Sequence, residues 1–113
     1  MSILGYFRDK YPQLFDDDLI SFDCDDGWKD IIDKTLAQIK DGVKIWQLKE
    51  KFGRLTIYTN DDSRIKDILS QAMAESLKTC EMCGTKDDVT TEGNWVKTLC
   101  KKCREFRFKC IKV

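Results

Sequence analysis

The sequence contains no histidine. This absence excludes a serine or cysteine nucleophile paired with histidine, a histidine general base, and every zinc site that mixes cysteine with histidine. We therefore expect a protein that is not an enzyme. The remaining enzymatic alternative would place a divalent ion on the carboxylates of Asp16–Asp18, Asp23, Asp25 and Asp26, with no base nearby to assist it.

Long apolar runs are also missing. No stretch reaches the roughly 18 apolar residues that suggest a membrane helix, and the start, MSILGYFRDKYPQLF, lacks the basic and apolar parts of a secretory signal. We therefore expect a cytoplasmic protein without a membrane partner. Thiols stay reduced in that compartment, where C-x-x-C pairs bind metal more often than they form disulfides.

A net excess of either charge is missing as well, because 20 basic residues balance 20 acidic ones. The distribution is nevertheless uneven. Residues 1–42 carry ten acidic and five basic side chains, whereas residues 80–113 carry eight basic and five acidic ones. This weak dipole is not a polycation, which limits the argument for a nucleic-acid partner.

The apolar pattern predicts an α+β fold with a body over residues 1–79. Residues 2–10 are predicted to form a short helix, which Tyr11-Pro12 ends because the residue before proline avoids helical angles. A longer helix is predicted over residues 26–40. Its apolar side chains recur at helical spacing: Trp28, Ile31, Ile32, Leu36 and Ile39.

The acidic segment between these helices, FDDDLISFDCDDGW, is predicted to be a solvated loop from which Leu19, Ile20 and Phe22 reach inward. Its spacing does not fit a calcium-binding loop, because placing Gly27 at the sixth position puts Phe22 where the first aspartate belongs.

The second half of the body is predicted to be a β-hairpin followed by a helix. In VKIWQLKEKFGRLTIYTN, two runs of β-branched and aromatic residues flank a turn at Gly53. A helix then extends from Asp61 or Asp62 to about Lys78. The result is a helix–β-hairpin–helix body.

Four of the six cysteines form two C-x-x-C pairs: Cys80 with Cys83, and Cys100 with Cys103. Two residues between the thiols let both sulfurs turn toward one ion, and Gly84 permits the left-handed turn that follows a zinc knuckle. Four thiolates complete a tetrahedral zinc site with no open position. We predict one structural Zn²⁺ ion bound by these cysteines.

Three alternatives to zinc compete for the same thiols. A disulfide framework is disfavoured by the strain of a C-x-x-C loop, and a redox dithiol by the occurrence of two pairs instead of one. A rubredoxin-like iron centre would need a glycine after the second pair, which this sequence lacks. Cys24 and Cys110 are interpreted as small buried or spare thiols.

Residues 80–113 are predicted to be a zinc-finger module docked on the second long helix of the body. Two short β-prone runs around EGN predict a hairpin between the knuckles, and CREFRFKCIKV can continue as a helix. This order is typical of treble-clef fingers, although a strand in place of the last helix would indicate a zinc ribbon. Because so short a segment cannot build a core alone, zinc is expected to be part of its folding.

Two basic clusters are candidate contact surfaces. The first surrounds the second cysteine pair, with aromatic rings between its cations: Lys97, Lys101, Lys102, Arg104, Arg107, Lys109 and Lys112, with Trp95, Phe106 and Phe108. Its residues either compensate the double negative charge of a four-thiolate zinc site or contact nucleic acid. The second cluster lies on the predicted hairpin turn, where Lys49, Lys51, Phe52 and Arg54 form either a solvated turn or a contact surface for a partner.

Several segments together resemble a known group of proteins. In chain order these are a helix with a tryptophan, KEKFGRLTIYT, a helix that ends in CEMCG, and NWVKTLCKKC. Similar segments occur in small proteins of bacteria, phages and prophages that end in a four-cysteine zinc finger, most of them without assigned function. The resemblance covers roughly residues 28–103 and matches Lys51, Phe52, Gly53 and Trp95. It implies no enzymatic activity, but a phage accessory role such as inhibition of a host defence or regulatory component.

These observations give two main hypotheses and one further alternative. The first is a protein-binding adaptor or inhibitor that uses the acidic face of residues 16–30 or the hairpin. The second is a nucleic-acid-binding regulator that uses the basic face of the finger, and its binding would weaken steeply with salt. The further alternative is a sponge for a nucleotide ligand.

Overall fold

The computed structural model describes residues 3–15, 21–39, 42–93 and 96–112, with the backbone alone at residues 21, 62, 64 and 107–112. The helices are α1 (Ile3–Lys10), α2 (Lys29–Ala37), α3 (Lys66–Ser76) and α4 (Lys101–Lys112). The strands are β1 (Ser21–Asp23), β2 (Ile45–Lys51), β3 (Arg54–Thr59), β4 (Val89–Glu92) and β5 (Lys97–Cys100). Short 3-10 turns cover Pro12–Leu14, Asp26–Trp28 and Asp62–Ile65. The fold is α+β, as the sequence predicts.

A three-stranded sheet in the order β1-β2-β3 forms the centre of the body. Strands β2 and β3 are the predicted hairpin, with Leu48 opposite Ile57 and Lys51 opposite Arg54. A bulge between Ile45 and Gln47 interrupts the alternation. It lets Ile45 and Leu48, three positions apart, both face the core, and it leaves Trp46 41% exposed.

The prediction of a loop over the whole acidic segment is wrong at Ser21–Asp23. These residues form β1, which pairs in parallel with β2 so that Phe22 lies beside Leu48. Three residues are too few for an alternating pattern to stand out, and the parallel partner is far away in sequence. Phe22 packs against the core as predicted, whereas Leu19 and Ile20 lie outside the described residues.

The body core lies between the sheet and helices α1, α2 and α3. Its largest fully buried side chains include Trp28, Phe7, Leu14, Ile32 and Leu36. The indole Nε1 of Trp28 donates a hydrogen bond of 3.0 Å to the carbonyl of Thr79, which ties the start of α2 to the end of the body.

Both long helices of the body are shorter than predicted. Helix α2 begins at Lys29 because Asp26–Trp28 is a 3-10 turn, and α3 begins at Lys66 after the 3-10 turn Asp62–Ile65. The backbone N–H of Gly27 donates to the carbonyl of Glu81 at 2.7 Å. A contact with a distant segment thus holds the first of these turns, and periodicity in a local window cannot reveal it.

After α3 the chain forms a turn, the hairpin β4–β5 and helix α4. The hairpin pairs Val89 with Cys100 and Glu92 with Lys97. We call residues 80–112 the finger segment. The boundary at residue 79 between a body and a finger domain stays a prediction. Within the described part of the chain, no helix is long and apolar enough to cross a membrane.

Candidate metal centre

The sulfur atoms of Cys80, Cys83, Cys100 and Cys103 all lie within 4.8 Å of one another. The Sγ atoms of Cys83 and Cys100 are 3.7 Å apart. In a tetrahedral site with metal–sulfur bonds of about 2.3 Å, neighbouring sulfurs are about 3.8 Å apart. The cluster therefore has the donor set and the spacing to hold a metal ion.

The first cysteine pair lies in a tight turn that follows α3. The carbonyl of Cys80 accepts a hydrogen bond of 2.9 Å from the N–H of Gly84, and the N–H of Cys80 donates to the carbonyl of Thr85 at 2.8 Å. Gly84 has a φ of 84°, a conformation that a side chain would strain. The glycine after the second thiol thus closes the turn that brings the two sulfurs together.

The second pair is divided between two elements. Cys100 is the last residue of β5, and Cys103 lies in the first turn of α4. The N–H of Cys103 points at the Sγ of Cys100 over 3.4 Å. The carbonyl of Asp88 accepts a hydrogen bond of 3.1 Å from the N–H of Lys101, which fixes the start of α4 against the hairpin β4–β5.

The four thiols differ in acidity. Burial raises the pKa of Cys80, but hydrogen bonds from the backbone of Cys100, Cys83 and Met82 outweigh it and lower the pKa to about 7. Burial and then the neighbouring thiols raise the pKa of Cys103 above its ordinary value. A cation at the centre would displace the protons that this crowded group otherwise retains, so its affinity should increase with pH.

The four cysteines differ in their exposure to solvent. Cys80 and Cys100 are buried, whereas Cys83 is exposed. A depression of about 580 Å³ adjoins Cys83 and is lined by Asp87, Asp88, Lys101 and Lys102. A closed set of four thiolates leaves no coordination position for a substrate, and such sites are structural rather than catalytic.

Glu81, between the first two cysteines, joins the finger segment to the body. Its carboxylate is almost fully buried, and Oε2 accepts a hydrogen bond of 3.1 Å from the N–H of Asp25. Burial raises the pKa of Glu81, against the effect of that hydrogen bond and of the charge on Lys97. A Cβ atom added to Gly27 would lie 2.2 Å from the carbonyl oxygen of Cys80, so the two segments are in direct backbone contact.

Lys97 is the charged centre of this junction. Its Nζ lies 2.6 Å from Oε1 of Glu50 on β2 and 3.5 Å from Oε1 of Glu81. The second distance is an ion pair and not a hydrogen bond, because Oε1 of Glu81 has no hydrogen-bond partner among the described residues. Lys97 thus links strand β5 to the hairpin of the body and to the turn Cys80–Gly84, which we call the knuckle.

The turn of the body hairpin, Lys51–Arg54, which we call the hairpin tip, also contacts the finger segment. The hydroxyl of Thr98 donates to the carbonyl of Gly53, and the N–H of Gly53 donates to Oε2 of Glu50 at 2.7 Å. A Cβ atom on Gly53 would lie 2.7 Å from Cγ2 of Thr91. The finger segment therefore fixes the position of the hairpin tip.

The residues of the first basic cluster are not equivalent. Lys101 and Lys102 are exposed. The guanidinium of Arg104 instead donates to the carbonyls of Thr90 at 2.6 Å, Lys97 at 3.0 Å and Glu92 at 3.2 Å. Arg104 therefore ties α4 to the hairpin β4–β5, and the side chain of Arg107 lies outside the described residues.

Of the second basic cluster, Lys51, Phe52 and Arg54 lie at the hairpin tip, whereas Lys49 lies on β2. Lys51 and Arg54 are exposed. Phe52 is 65% exposed and has a φ of 54°, in the left-handed region. Trp95, a matched position of the resemblance, lies outside the described residues.

The sequence does not predict the contacts that join the finger segment to the body, which involve Gly27, Glu50, Glu81 and Lys97. Lys97 is predicted only as a member of the first basic cluster. Only Glu81 carries a local signal, since a carboxylate between two metal ligands must find a partner that can offset its charge. The contacts of the other three depend on residues far away in the sequence.

No family model, no curated protein and no solved structure matches this chain. The resemblance to bacterial and phage proteins therefore has one structural support, the cluster of four cysteines of a zinc-finger-like site.

Proposed function

We propose that this chain is a non-enzymatic zinc-binding protein that acts by binding a macromolecule, with its finger as a structural element. The observation that carries the proposal is the convergence of four cysteine sulfurs within 4.8 Å. Tetrahedral sites with four thiolates suit zinc or iron. The second pair lacks the trailing glycine of a rubredoxin-like knuckle, which favours zinc.

A treble-clef-like finger is the interpretation that the order of elements supports. Turn, hairpin and helix follow one another from Cys80 to Lys112, and α4 occupies the place where a zinc ribbon would have a strand. Cys103 comes from the first turn of this helix, and Cys100 directly precedes it.

The finger segment holds the hairpin tip, and this contact supports a structural role for the metal. Thr98 and Lys97 reach Gly53 and Glu50 of the hairpin from a strand that ends in the ligand Cys100. Metal binding would order β5 and, through it, the surface that Lys51, Phe52 and Arg54 present. The contact surface for a partner then lies on the body and not on the thiolates.

The charges of this surface favour a polyanion over the protein partner that the sequence placed first. The hairpin tip combines two cations with an exposed ring, whereas the predicted contact Arg104 of the finger is engaged within the fold. Inhibition of a host component and capture of a nucleotide ligand stay predictions of the resemblance and of the basic clusters.

Native mass spectrometry of untagged protein, with X-ray absorption at the metal edge, tests the metal. We expect one zinc per chain, with four sulfur neighbours at about 2.3 Å. Cys83→Ser should lose or strongly weaken zinc binding, whereas Cys24→Ser, a matched change outside the cluster, should keep it. Disulfide-linked protein without metal, or an iron-loaded form, would overturn the proposal.

A further inference from the structure

The body sheet presents a polar face opposite its core. The burial alternates along the hairpin, with Leu48, Leu55 and Ile57 buried. The side chains between them point the other way and form what we call the outer sheet face: Gln47, Lys49, Lys51, Thr56 and Tyr58. Arg54 follows in the same alternation, but its Nη1 lies 3.8 Å from the sulfur of Met73 on α3. Asp23 of β1 stands beside Lys49 and adds one negative charge. Two lysines, Lys49 and Lys51, against this one carboxylate give the face a net positive charge, whereas the whole chain has none.

Two lysines converge on one aromatic ring in the middle of this face. The Nζ of Lys49 lies 5.7 Å from the ring centroid of Tyr58, and the Nζ of Lys51 lies 3.5 Å from its hydroxyl oxygen. Among the residues that the structure describes, no carboxylate forms an ion pair with either lysine. The two ammonium groups are therefore available to an anionic ligand.

Exposed aromatic rings lie at both ends of strand β2. Trp46, which the bulge displaces, is 41% exposed, and Phe52 at the hairpin tip is 65% exposed. Phe52 has a φ of 54°, a conformation that is unfavourable for a bulky side chain and that often marks a functional position. The contacts of Gly53 and Glu50 with the finger segment hold this ring in place without burying it.

We propose that the outer sheet face binds single-stranded nucleic acid, RNA or DNA. Phosphates would contact Lys49 and Lys51, and bases would stack on Phe52 and Trp46. Proteins that bind single strands combine cations along the backbone of the ligand with rings on which its bases stack. The proposal rests on the proposed function in one respect, because the metal-bound finger must hold the hairpin tip.

The combination of cations and rings favours a single strand over other polyanions. An acidic peptide would satisfy the lysines but has no flat bases for the two exposed rings. A duplex keeps its bases stacked on one another and would use the cations alone. A single strand offers phosphates to the lysines and, along the same chain, unstacked bases to the exposed rings.

The test is fluorescence anisotropy of a labelled oligo(U) and oligo(dT) of about 12 nucleotides with zinc-loaded protein over a range of salt concentrations. The logarithm of the binding constant should fall linearly with the logarithm of the salt concentration. Lys49→Gln with Lys51→Gln should weaken binding and flatten that slope by about 1.4, since each lost phosphate contact to a single strand accounts for about 0.7. The matched double variant, Lys101→Gln with Lys102→Gln, removes the same charge from the finger and should bind within about twofold of the natural protein.

Phe52→Asn tests stacking separately, because asparagine tolerates the left-handed conformation and keeps the turn. It should weaken binding about five- to 150-fold, the range for loss of one base–aromatic stack. Three outcomes would each overturn the inference. The two lysine double variants could lose the same affinity, Phe52→Asn could leave the affinity unchanged, or poly-glutamate could bind more tightly than either oligonucleotide. Zinc content is measured on every sample. Protein that contains no metal would count against the proposed function. Zinc-loaded protein that binds neither oligonucleotide would refute only this inference.

Discussion

At the scale of single residues, Phe52 stands in a backbone conformation that its own side chain disfavours. Its φ of 54° and the φ of 83° at Gly53 define a two-residue turn with positive φ at both central positions, for which Asn-Gly is the preferred sequence. We expect Phe52→Asn to raise the free energy of unfolding by about 1 kcal/mol, because the left-handed strain is relieved and an exposed ring loses little burial.

Urea denaturation of the zinc-loaded protein measures this change, and the melting temperature should rise by a few degrees, on the order of 4–8 °C per kcal/mol for a domain of this size. A lower free energy of unfolding in Phe52→Asn would show that the ring stabilises the hairpin tip, contrary to the argument that its position serves binding.

Cys24 offers a second prediction for a single residue. Burial, followed by the negative charges of Glu81 and Asp25, raises the pKa of its thiol from 9.0 to about 12. At pH values below both pKa values the thiolate fraction is then about a thousandfold smaller than that of an ordinary thiol. Alkylation of Cys24 by iodoacetamide, followed by peptide mass mapping, should be correspondingly slow in the folded protein and fast in urea.

The pH dependence of this reaction has a definite sign. The rate should rise about tenfold per pH unit beyond pH 9, where an unperturbed thiol would level off. Because the folded pKa exceeds the unfolded one, the stability linked to Cys24 is complete below about pH 9 and is lost as pH rises toward 12. A plateau of the alkylation rate near pH 9 in folded protein would contradict the assignment.

At the scale of elements, the ion pairs of Lys97 connect β2, β5 and the knuckle. Lys97→Met should lower the free energy of unfolding by about 3 kcal/mol, since it leaves two largely buried carboxylates, Glu50 and Glu81, without their cation. Lys34→Met is the matched control. Its ion pair with Glu75 has a similar length, 2.5 Å, but is solvent-exposed, so the loss should not exceed about 0.5 kcal/mol.

Chemical denaturation of both variants at equal zinc occupancy compares the two losses. Equal losses would mean that the contact between hairpin and finger contributes no more than a surface ion pair. The finger segment would then not fix the hairpin tip.

The elements that sequence reasoning predicted correctly are those with a local pattern. Helix α1, the hairpin β2–β3 and the approximate course of α2 and α3 follow from periodicity and turn residues within short windows. The four cysteines could be grouped for the same reason, because their chemistry is contained in two short motifs. Strand β1 and the 3-10 turn at Asp26–Trp28 depend instead on partners in β2 and at Glu81, and periodicity within a short window gives no indication of such partners.

The residues of the two basic clusters were likewise predicted only as far as local patterns allow. The sequence placed Lys49, Lys51, Phe52 and Arg54 together, but it assigned all of KEKFGR to the turn, and so it did not show that Lys49 lies on β2 and shares a sheet face with Tyr58. It also placed Arg104 on a contact surface, whereas the structure uses Arg104 to hold α4 against β4 and β5. Whether a cation is free for a partner depends on tertiary contacts.

At the scale of the whole molecule, the two apolar clusters have very unequal size. Among the described residues, the buried members of the body cluster extend from Phe7 to Ala72, and none of them belongs to the finger segment. Among the finger side chains that the structure describes, the buried members of the finger cluster are Cys80, Leu99 and Cys100, two of which are candidate ligands. We therefore expect the finger segment to depend on a bound metal for its order.

Removal of zinc should therefore unfold the finger segment and leave the body folded. In hydrogen exchange with mass spectrometry, chelated protein should lose amide protection in residues 80–100 and, through the lost contacts of Gly27 and Gly53, at the start of α2 and at the hairpin tip. Protection should persist at Ile31–Leu36, which pack in the body core. Added zinc should restore the original pattern, and the chelated protein should bind oligonucleotide more weakly because Phe52 is no longer held. Loss of protection at Ile31–Leu36 would show instead that the metal stabilises finger and body as a single cooperative unit. Unchanged protection at the hairpin tip would show that the metal does not hold the hairpin tip in place.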